Sequence, residues 1–497
     1  MLTCFGRMKY LAPRTVGIAL GTATCSLGLA AQGAPALPED GCHVAPSIYC
    51  VWDGGDQRLD LGADTRSRVE FWDAHATENS AFYAFRTRVR ARYTLRDTIS
   101  LFGEFQDARL SSLAPDSSGG AAVYRRFTPT GFDSNTNAQD VRQGWLEVRP
   151  IEGLSIRGGR TDIKLGTQVM YEEPSWSYLK VKRASQRMVG TVGWSHGERS
   201  NDGGSIAYDR GGYELFTFGA MPTTGVFDVD HSYETQDSIV YGGLSLTAKR
   251  DTWLENTEVR PFLLAYSDQR PSRDGGLEKG VEVYTLGASV IGIYPTGPGN
   301  LDVFGWLAGQ AGDYDGRNHL AGAGILEVGY QLPDVLFEPW LRAGLNVASG
   351  GSQKGDHNTF FNMLPTNHLY YGFADQLAFQ NLLNPFVQLM LRIHKDLGLN
   401  VFYHYFALLT DDDSLYFGSG AFTKKDRAGA FGFGKRDSFG HHGVGHELDL
   451  ILSWKLTKWL SAQVGYAHFF GGRVFEANPG IADPDLQFGY LQLALKY

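Results

Sequence analysis

The stretch FRTRVRARY, residues 85–93, places an arginine at every second position: Arg86, Arg88, Arg90 and Arg92 alternate with Phe85, Thr87, Val89, Ala91 and Tyr93. With the period of two of an extended strand, all four guanidinium groups share one face. In hydrocarbon each would cost about 2 to 4 kcal/mol near the bilayer midplane, so in a membrane-spanning strand that face must turn to a polar interior. Arg66 and Arg68 repeat the pattern among Thr65, Ser67 and Val69. Arg157 lies between Ile156 and Gly158, Arg342 between Leu341 and Ala343, and Arg392 and His394 alternate with Leu389, Leu391 and Ile393. Arginine stays charged and grips a carboxylate with a planar fork, so rings of it in a pore favour anions. These nine arginines are the candidate substrate contacts. The same alternation turns Glu70, Glu104, Glu147, Glu327, Glu447 and Asp449 inward. There they would pair with the arginines and brace the wall, the second use to which the ladder can be put.

The elements that must carry these side chains are strands. From about residue 58 onward the sequence repeats one theme, an alternating segment of about 8 to 17 residues followed by a turn or loop. Eighteen such segments begin near 58, 82, 98, 138, 153, 203, 212, 237, 257, 279, 299, 319, 336, 385, 397, 444, 459 and 485, while MVGTVGWS at 188–195 reads as loop. After even-numbered strands the connections are short and turn-rich, as in LRDT, RPIEG, DRGG, YPTGPGN, LPDV, HKDLG and LTKW. After odd-numbered strands several are long, at about 111–137, 167–202, 351–384 and 411–443. Short and long connections sorted by parity predict an all-β, up-and-down antiparallel transmembrane barrel of 16 to 18 strands, with periplasmic turns below and extracellular loops above. That strand number leaves an aqueous lumen. The final YLQLALKY alternates Leu491, Leu493, Leu495 and Tyr497 with more polar residues, and pairing this strand with the one near 58 would close the barrel.

Composition agrees. The 497 residues include 62 Gly, 30 Phe, 24 Tyr and 10 Trp, which suits many strands, tight turns and interfacial girdles. Arg7, Lys9 and Arg14, then VGIALGTATCSLGLAA, then QGAPA, read as a signal peptide over residues 1–36; Cys25 follows Thr22, Ala23 and Thr24, which is no lipobox. Losing those three basic residues takes the net charge from −9 to −12, so the surface at large will not attract polyanions such as nucleic acid. With no other long apolar run and a mean hydropathy of −0.23, any membrane crossing uses strands. Residues 37–57 form a short periplasmic lead-in, in which Cys42 and Cys50 flank HVAPSIY and can close a small disulfide loop. Residues 58–497 form the barrel, and the mature protein belongs in the outer membrane of a Gram-negative bacterium.

Other constellations point to no enzyme. His404 and His468 are single candidates without evident partners; His441, His442 and His446 fit a polar loop reaching a strand top, and Asp411, Asp412 and Asp413 a solvated loop. No cofactor motif is present.

The runs LSIRGGRTDIKLGTQ and VGWSHGERSNDGGSIAYDRGGYELFTFGAMP resemble a strand, loop and strand pair of the alginate export family. FFNMLPTNHLYYGFADQ resembles that family's long extracellular loop, and HHGVGHELDLILSWKLTKWLSAQVGYAHFFGG its late hairpin. The resemblance implies an outer-membrane channel that passes an anionic polysaccharide such as alginate through an arginine-rich lumen occluded by loops. The alternative is a general porin, or an uptake porin for small anions or sugar acids. It further implies lipid and lipopolysaccharide outside, barrel assembly machinery, and periplasmic export partners. Arg157 and Arg160 match basic positions of the family strand, although Arg160 has the outward parity. Thr161 and Asp162 stand where the family has glutamine, and the late KLTKWLS turn is short where an exporter of this kind carries a plug.

Overall fold

Alternation of apolar and polar residues becomes, in three dimensions, a wall with an oily outside and a charged inside. The computed structural model describes residues 49–74, 80–115, 126–128, 131–225, 232–270, 278–352, 354–416 and 435–496. The signal-peptide reading and Cys42 lie outside them; Cys50 is exposed.

Eighteen strands form the wall. They are β1 Gln57–Ala74, β2 Ser80–Leu95, β3 Ile99–Ser111, β4 Thr136–Ile151, β5 Leu154–Thr161 and β6 Asn201–Arg210. Next come β7 Tyr213–Pro222, β8 Ile239–Ala248, β9 Thr257–Asp268, β10 Val281–Pro295, β11 Asn300–Tyr314 and β12 Arg317–Gln331. The circle is completed by β13 Trp340–Ala348, β14 Leu382–His394, β15 Leu397–Leu408, β16 Gly443–Lys455, β17 Leu460–Gly471 and β18 Leu486–Lys496. Each pairs antiparallel with its neighbours, and β18 pairs with β1 from Leu486↔Ala74 to Lys496↔Asp64, so no edge is left open. The lead-in strand Tyr49–Asp53 takes the edge of β1 below that point, from Tyr49↔Leu61 to Asp53↔Arg58.

Leu286, Leu307, Leu326 and Val89 are exposed on the outer face. Exposed aromatics ring both ends of it: Tyr213, Trp253, Trp454 and Trp459 near the turns, and Phe71, Tyr83, Tyr284 and Phe470 near the loops. Connection lengths follow parity less strictly than the sequence suggests. β11 and β12 are joined at the loop end by Asp315 and Gly316 alone, at φ of 59° and 76°, a two-residue turn of the Asp-Gly kind. At the turn end, residues 249–256 and 332–339 make wider links.

Two long connections run inward rather than outward. Residues 162–200 carry a short helix, Pro174–Tyr178, and a wider helical turn, Leu179–Ala184. This segment meets residues 349–381 through Gly190 N–H to Leu364 O (2.8 Å) and Leu364 N–H to Met188 O (2.9 Å). Together they bring Trp194, Phe360, Phe361, Tyr370, Tyr371 and Phe379, all buried, into the barrel. These rings pack on inward wall aromatics: Trp194 lies 4.8 Å from Tyr490, Phe361 5.0 Å from Tyr266 and Phe360 6.3 Å from Trp306. The barrel's apolar core is therefore a plug packed against inward aromatics of the wall.

Candidate functional site

From β1 to β5 the inner face carries the arginines, among buried apolar residues such as Trp72 and Phe82. Arg66, Arg68, Arg86, Arg88 and Arg90 all point inward, and each is nearly or wholly buried. Arg66 and Arg68 hold the plug by its backbone. Arg66 donates to the carbonyls of Gly193 (3.0 Å), Trp194 (3.1 Å) and Ser195 (2.5 Å). Arg68 donates to Trp194 O (3.0 Å), lies 3.7 Å above that indole and pairs with Glu70 at 2.6 Å.

Beyond them the ladder is an ion-pair lattice. Arg86 meets Glu198 at 2.7 Å and Asp64 at 3.2 Å. Arg88 meets Glu198 at 2.8 Å and donates to Gln106 Oε1 at 2.7 Å. Arg90 meets Glu104 at 3.0 Å and also Asp64. A fourth guanidinium joins from β4. There Glu104 faces Gln143 while Phe105 faces Val141, which leaves Arg142 as the extra residue of a bulge, turned inward. Arg142 donates to Glu104 (2.6 Å), Asp162 (2.6 Å) and Glu198 (2.7 Å). Burial pushes the Asp162 carboxyl up, but Arg142 and Lys164 outweigh it and hold the group below its ordinary value. Burial, helped by the positive ladder, pushes His196 far below the usual imidazole range, so it adds no charge here.

Toward the turn end the lattice opens into a cavity of about 240 Å³. It is lined by Arg88, Arg90, Arg92, Arg142, Arg157 and Lys164 against only two carboxylates, Glu104 and Asp162, with Phe102 and Trp145 as its apolar floor. Arg157 is fixed by Glu147 (2.5 Å) and lies 4.1 Å above the Trp145 ring. Arg92 is only half withdrawn from solvent, and among the described residues no hydrogen bond or ion pair engages it. Asp60, its register partner, is taken by Arg58 at 2.7 Å.

Arg342 and Arg392 lie elsewhere. Arg342 belongs to a second lattice, in which Glu327 receives Arg342 (2.9 Å), Arg183 (2.7 Å) and Arg187 (2.9 Å), while Asp302 takes Arg342 and the indole N–H of Trp340 (2.7 Å). Arg392 sits at the turn end and pairs with Glu338 at 2.9 Å. Arg160 obeys its outward parity, pairing with Asp202 at 2.7 Å across β5 and β6.

Glu447 and Asp449 are inward and buried, yet among the described residues no arginine meets them. Glu447 accepts the Ala374 N–H of the plug at 2.8 Å. The fit is close: Gly372, at φ +86°, has a virtual Cβ only 2.3 Å from the Glu447 carboxylate. We expect Gly372→Ala to unseat residues 349–381 at a cost of about 1–3 kcal/mol, checked as faster proteolysis within that segment; wild-type proteolysis would refute it.

His404 packs between Phe386, Phe402 and Phe406 and approaches Asp449 at 3.8 Å, whereas His468 stacks on Phe470 outside. They share no site. His446 bonds Tyr403 across two wall strands, and Asp413 ties its own connection to residues 349–381 through Thr359 and the Gly351 N–H, with Tyr416 donating to it as well. Among the described residues no group of three or more His, Cys, Asp or Glu is placed to hold a metal.

Sequence reading missed Arg142, Arg183, Arg187, Asp162 and Glu198. Arg142 was within reach, since Asp140 and Arg142 continue the inward alternation of Ala138; Arg183 and Arg187 are one helical turn apart, a spacing that a search for strands passes over.

A sequence profile of the alginate export family matches residues 57–487. No curated protein matches the sequence significantly. Solved structures match in fold. Pseudomonas aeruginosa OpdK with vanillate shares 12% identity over 88% of this chain and 98% of its own, with a TM-score of 0.54. Acinetobacter baumannii OccAB2 shares 8% over the same fractions, with a TM-score of 0.57. Pseudomonas aeruginosa OccK8 (OprE) shares 10%, again over 88% and 98%, with a TM-score of 0.56.

Proposed function

Since the chain belongs to the alginate export family, an outer-membrane β-barrel in a Gram-negative bacterium, we propose that it passes an anionic polysaccharide such as alginate through the arginine-lined lumen. The observation that carries this reading is the cavity beside the ladder. Six cationic side chains face two carboxylates there, and Arg92 has no partner among the described residues. A guanidinium left half exposed in a polar cavity is ready to take a carboxylate in a bidentate grip. Arg157, locked by Glu147 and Trp145, offers a second positive group at a fixed position. Nothing in this reading requires a catalytic group. Lipid and lipopolysaccharide contact the outer face, the barrel assembly machinery inserts the chain, and periplasmic export partners present the polymer.

The second reading, uptake of small anions or sugar acids, draws on cavity size. At about 240 Å³ the cavity is of small-molecule size, and the structural neighbour OpdK is solved with vanillate. Bilayer recordings separate the two. Under the exporter reading oligouronates block the current more strongly as they lengthen; under the uptake reading a monomeric uronate blocks as well as a hexamer. In either case Arg92→Gln should leave folding intact and weaken block about tenfold, the effect of losing one charged hydrogen bond. Unchanged block and anion preference in that variant would remove Arg92 from the substrate path.

A further inference from the structure

We propose that Arg86, Arg88 and Arg142 form a carboxylate-binding site that the protein's own Glu198 fills, and that an incoming carboxylate reaches these arginines by displacing it. The proposal deepens the channel reading and rests on it for naming a uronate as the competitor.

Glu198 does not belong to the wall. It stands near the end of the inward connection 162–200, yet its carboxylate is buried among side chains of β2 and β4. Oε1 accepts from Arg86 (2.7 Å) and Arg88 (2.8 Å), and Oε2 accepts from Arg142 (2.7 Å). Three charge-assisted bonds to one carboxylate are the bonds these guanidinium groups would make to a sugar acid. Among the described residues, the wall's direct ion pairs to Arg86, Arg88, Arg90 and Arg142 come from Asp64 and Glu104. Glu198 and Asp162, both from the inward connection, bring the lattice to four against four. When that connection leaves, two positive charges stand uncompensated and the site is open to an anion.

The cavity leads to this point. Arg88 and Arg142 line it and hold Glu198 as well, so a ligand bound in the cavity is already touching the site. The stretch just before Glu198 is held by bonds that carry no net charge on its side: Arg66 to the carbonyls of Gly193, Trp194 and Ser195, and Gln106 Nε2 to Gly197 O at 2.7 Å. Within that stretch Glu198 is thus the group that a competing carboxylate can replace like for like.

The full-length protein and its Glu198→Gln variant would be compared in planar bilayers with chloride as the current carrier. Glutamine keeps the shape and removes the charge, so the variant should open without any added carboxylate, raising open probability about tenfold or more. A variant that keeps heat-modifiable gel mobility but opens no more often than wild type overturns the proposal. Amide exchange of the wild-type protein gives a test independent of the variant's folding. Tri- to hexauronates should speed exchange over residues 191–199, and a neutral oligosaccharide of equal length should not. If citrate speeds exchange and oligouronates do not, the carboxylate site stands and the polysaccharide reading falls. If neither acts, the site falls.

Discussion

Removing residues 490–497 should abolish assembly of the barrel. β18 meets β1 in eleven register pairs, and the deletion takes the seven from Tyr490↔Glu70 to Lys496↔Asp64. What remains, Leu486 to Gly489, is too short to cross a membrane, so β1 and β17 would face hydrocarbon with unpaired backbone groups, each costing several kcal/mol. The loss reaches the plug as well. Tyr490 packs on Trp194 at 4.8 Å and donates to Gln463 at 2.8 Å, and Gln492 accepts from Arg68 at 3.3 Å. The expected result is a chain that shows no heat-modifiable mobility in gels and is degraded in the periplasm. Retention of the compact, heat-modifiable form would contradict closure by this strand pair.

Replacing Arg86, Arg88 and Arg90 together by glutamine should also destroy the folded protein, although the three positions were first read as substrate contacts. Their partners Asp64, Glu104 and Glu198 are buried: Glu104 and Glu198 would keep Arg142, and Asp64 would lose both Arg86 and Arg90. Breaking one buried pair from one side costs about 3–5 kcal/mol, so losing three cations from one lattice exceeds the whole stability of an ordinary domain, about 5–15 kcal/mol, or comes close to it. Urea unfolding of purified barrels and the yield of heat-modifiable protein measure this. A triple variant that folds normally and loses only anion preference would show that the ladder serves transport rather than bracing. Arg92→Gln differs because no buried acid depends on Arg92 among the described residues, so its effect should appear in selectivity alone.

The wall was legible because the pleat turns sequence parity into direction. All eighteen strands start within a few residues of where the alternation places them, and the parity that sends Arg160 outward and Arg86 inward holds in the structure. The interior was much less legible. Residues 162–200 and 349–381 have no period, and nothing local says whether a long connection rises above a barrel or descends into it; that is decided by Trp194 meeting Tyr490 and Arg68, residues distant in sequence. The ladder's pairing was hidden for the same reason. Wall acids such as Glu104 and Glu70 could be read from alternation, but Glu198 and Asp162 arrive on a segment without strand parity. The bulge at Arg142 conceals a further step, since one extra residue shifts every position after it on β4.

Arg142 holds both ends of the inward connection, Asp162 near its start and Glu198 near its end. The two carboxylates behave as a tethered bivalent ligand: when one lets go, the other keeps it within a few ångströms of its guanidinium partner. A tether of this kind confers an effective concentration in the millimolar range, and rebinding is fast compared with the arrival of a dilute competitor. Under the proposed displacement, a single uronate in solution would need to approach millimolar levels to hold the site open. A chain of uronates would bring its own second carboxylate and meet the tether on equal terms, so the gate would respond to polymer length before it responded to the identity of any one sugar.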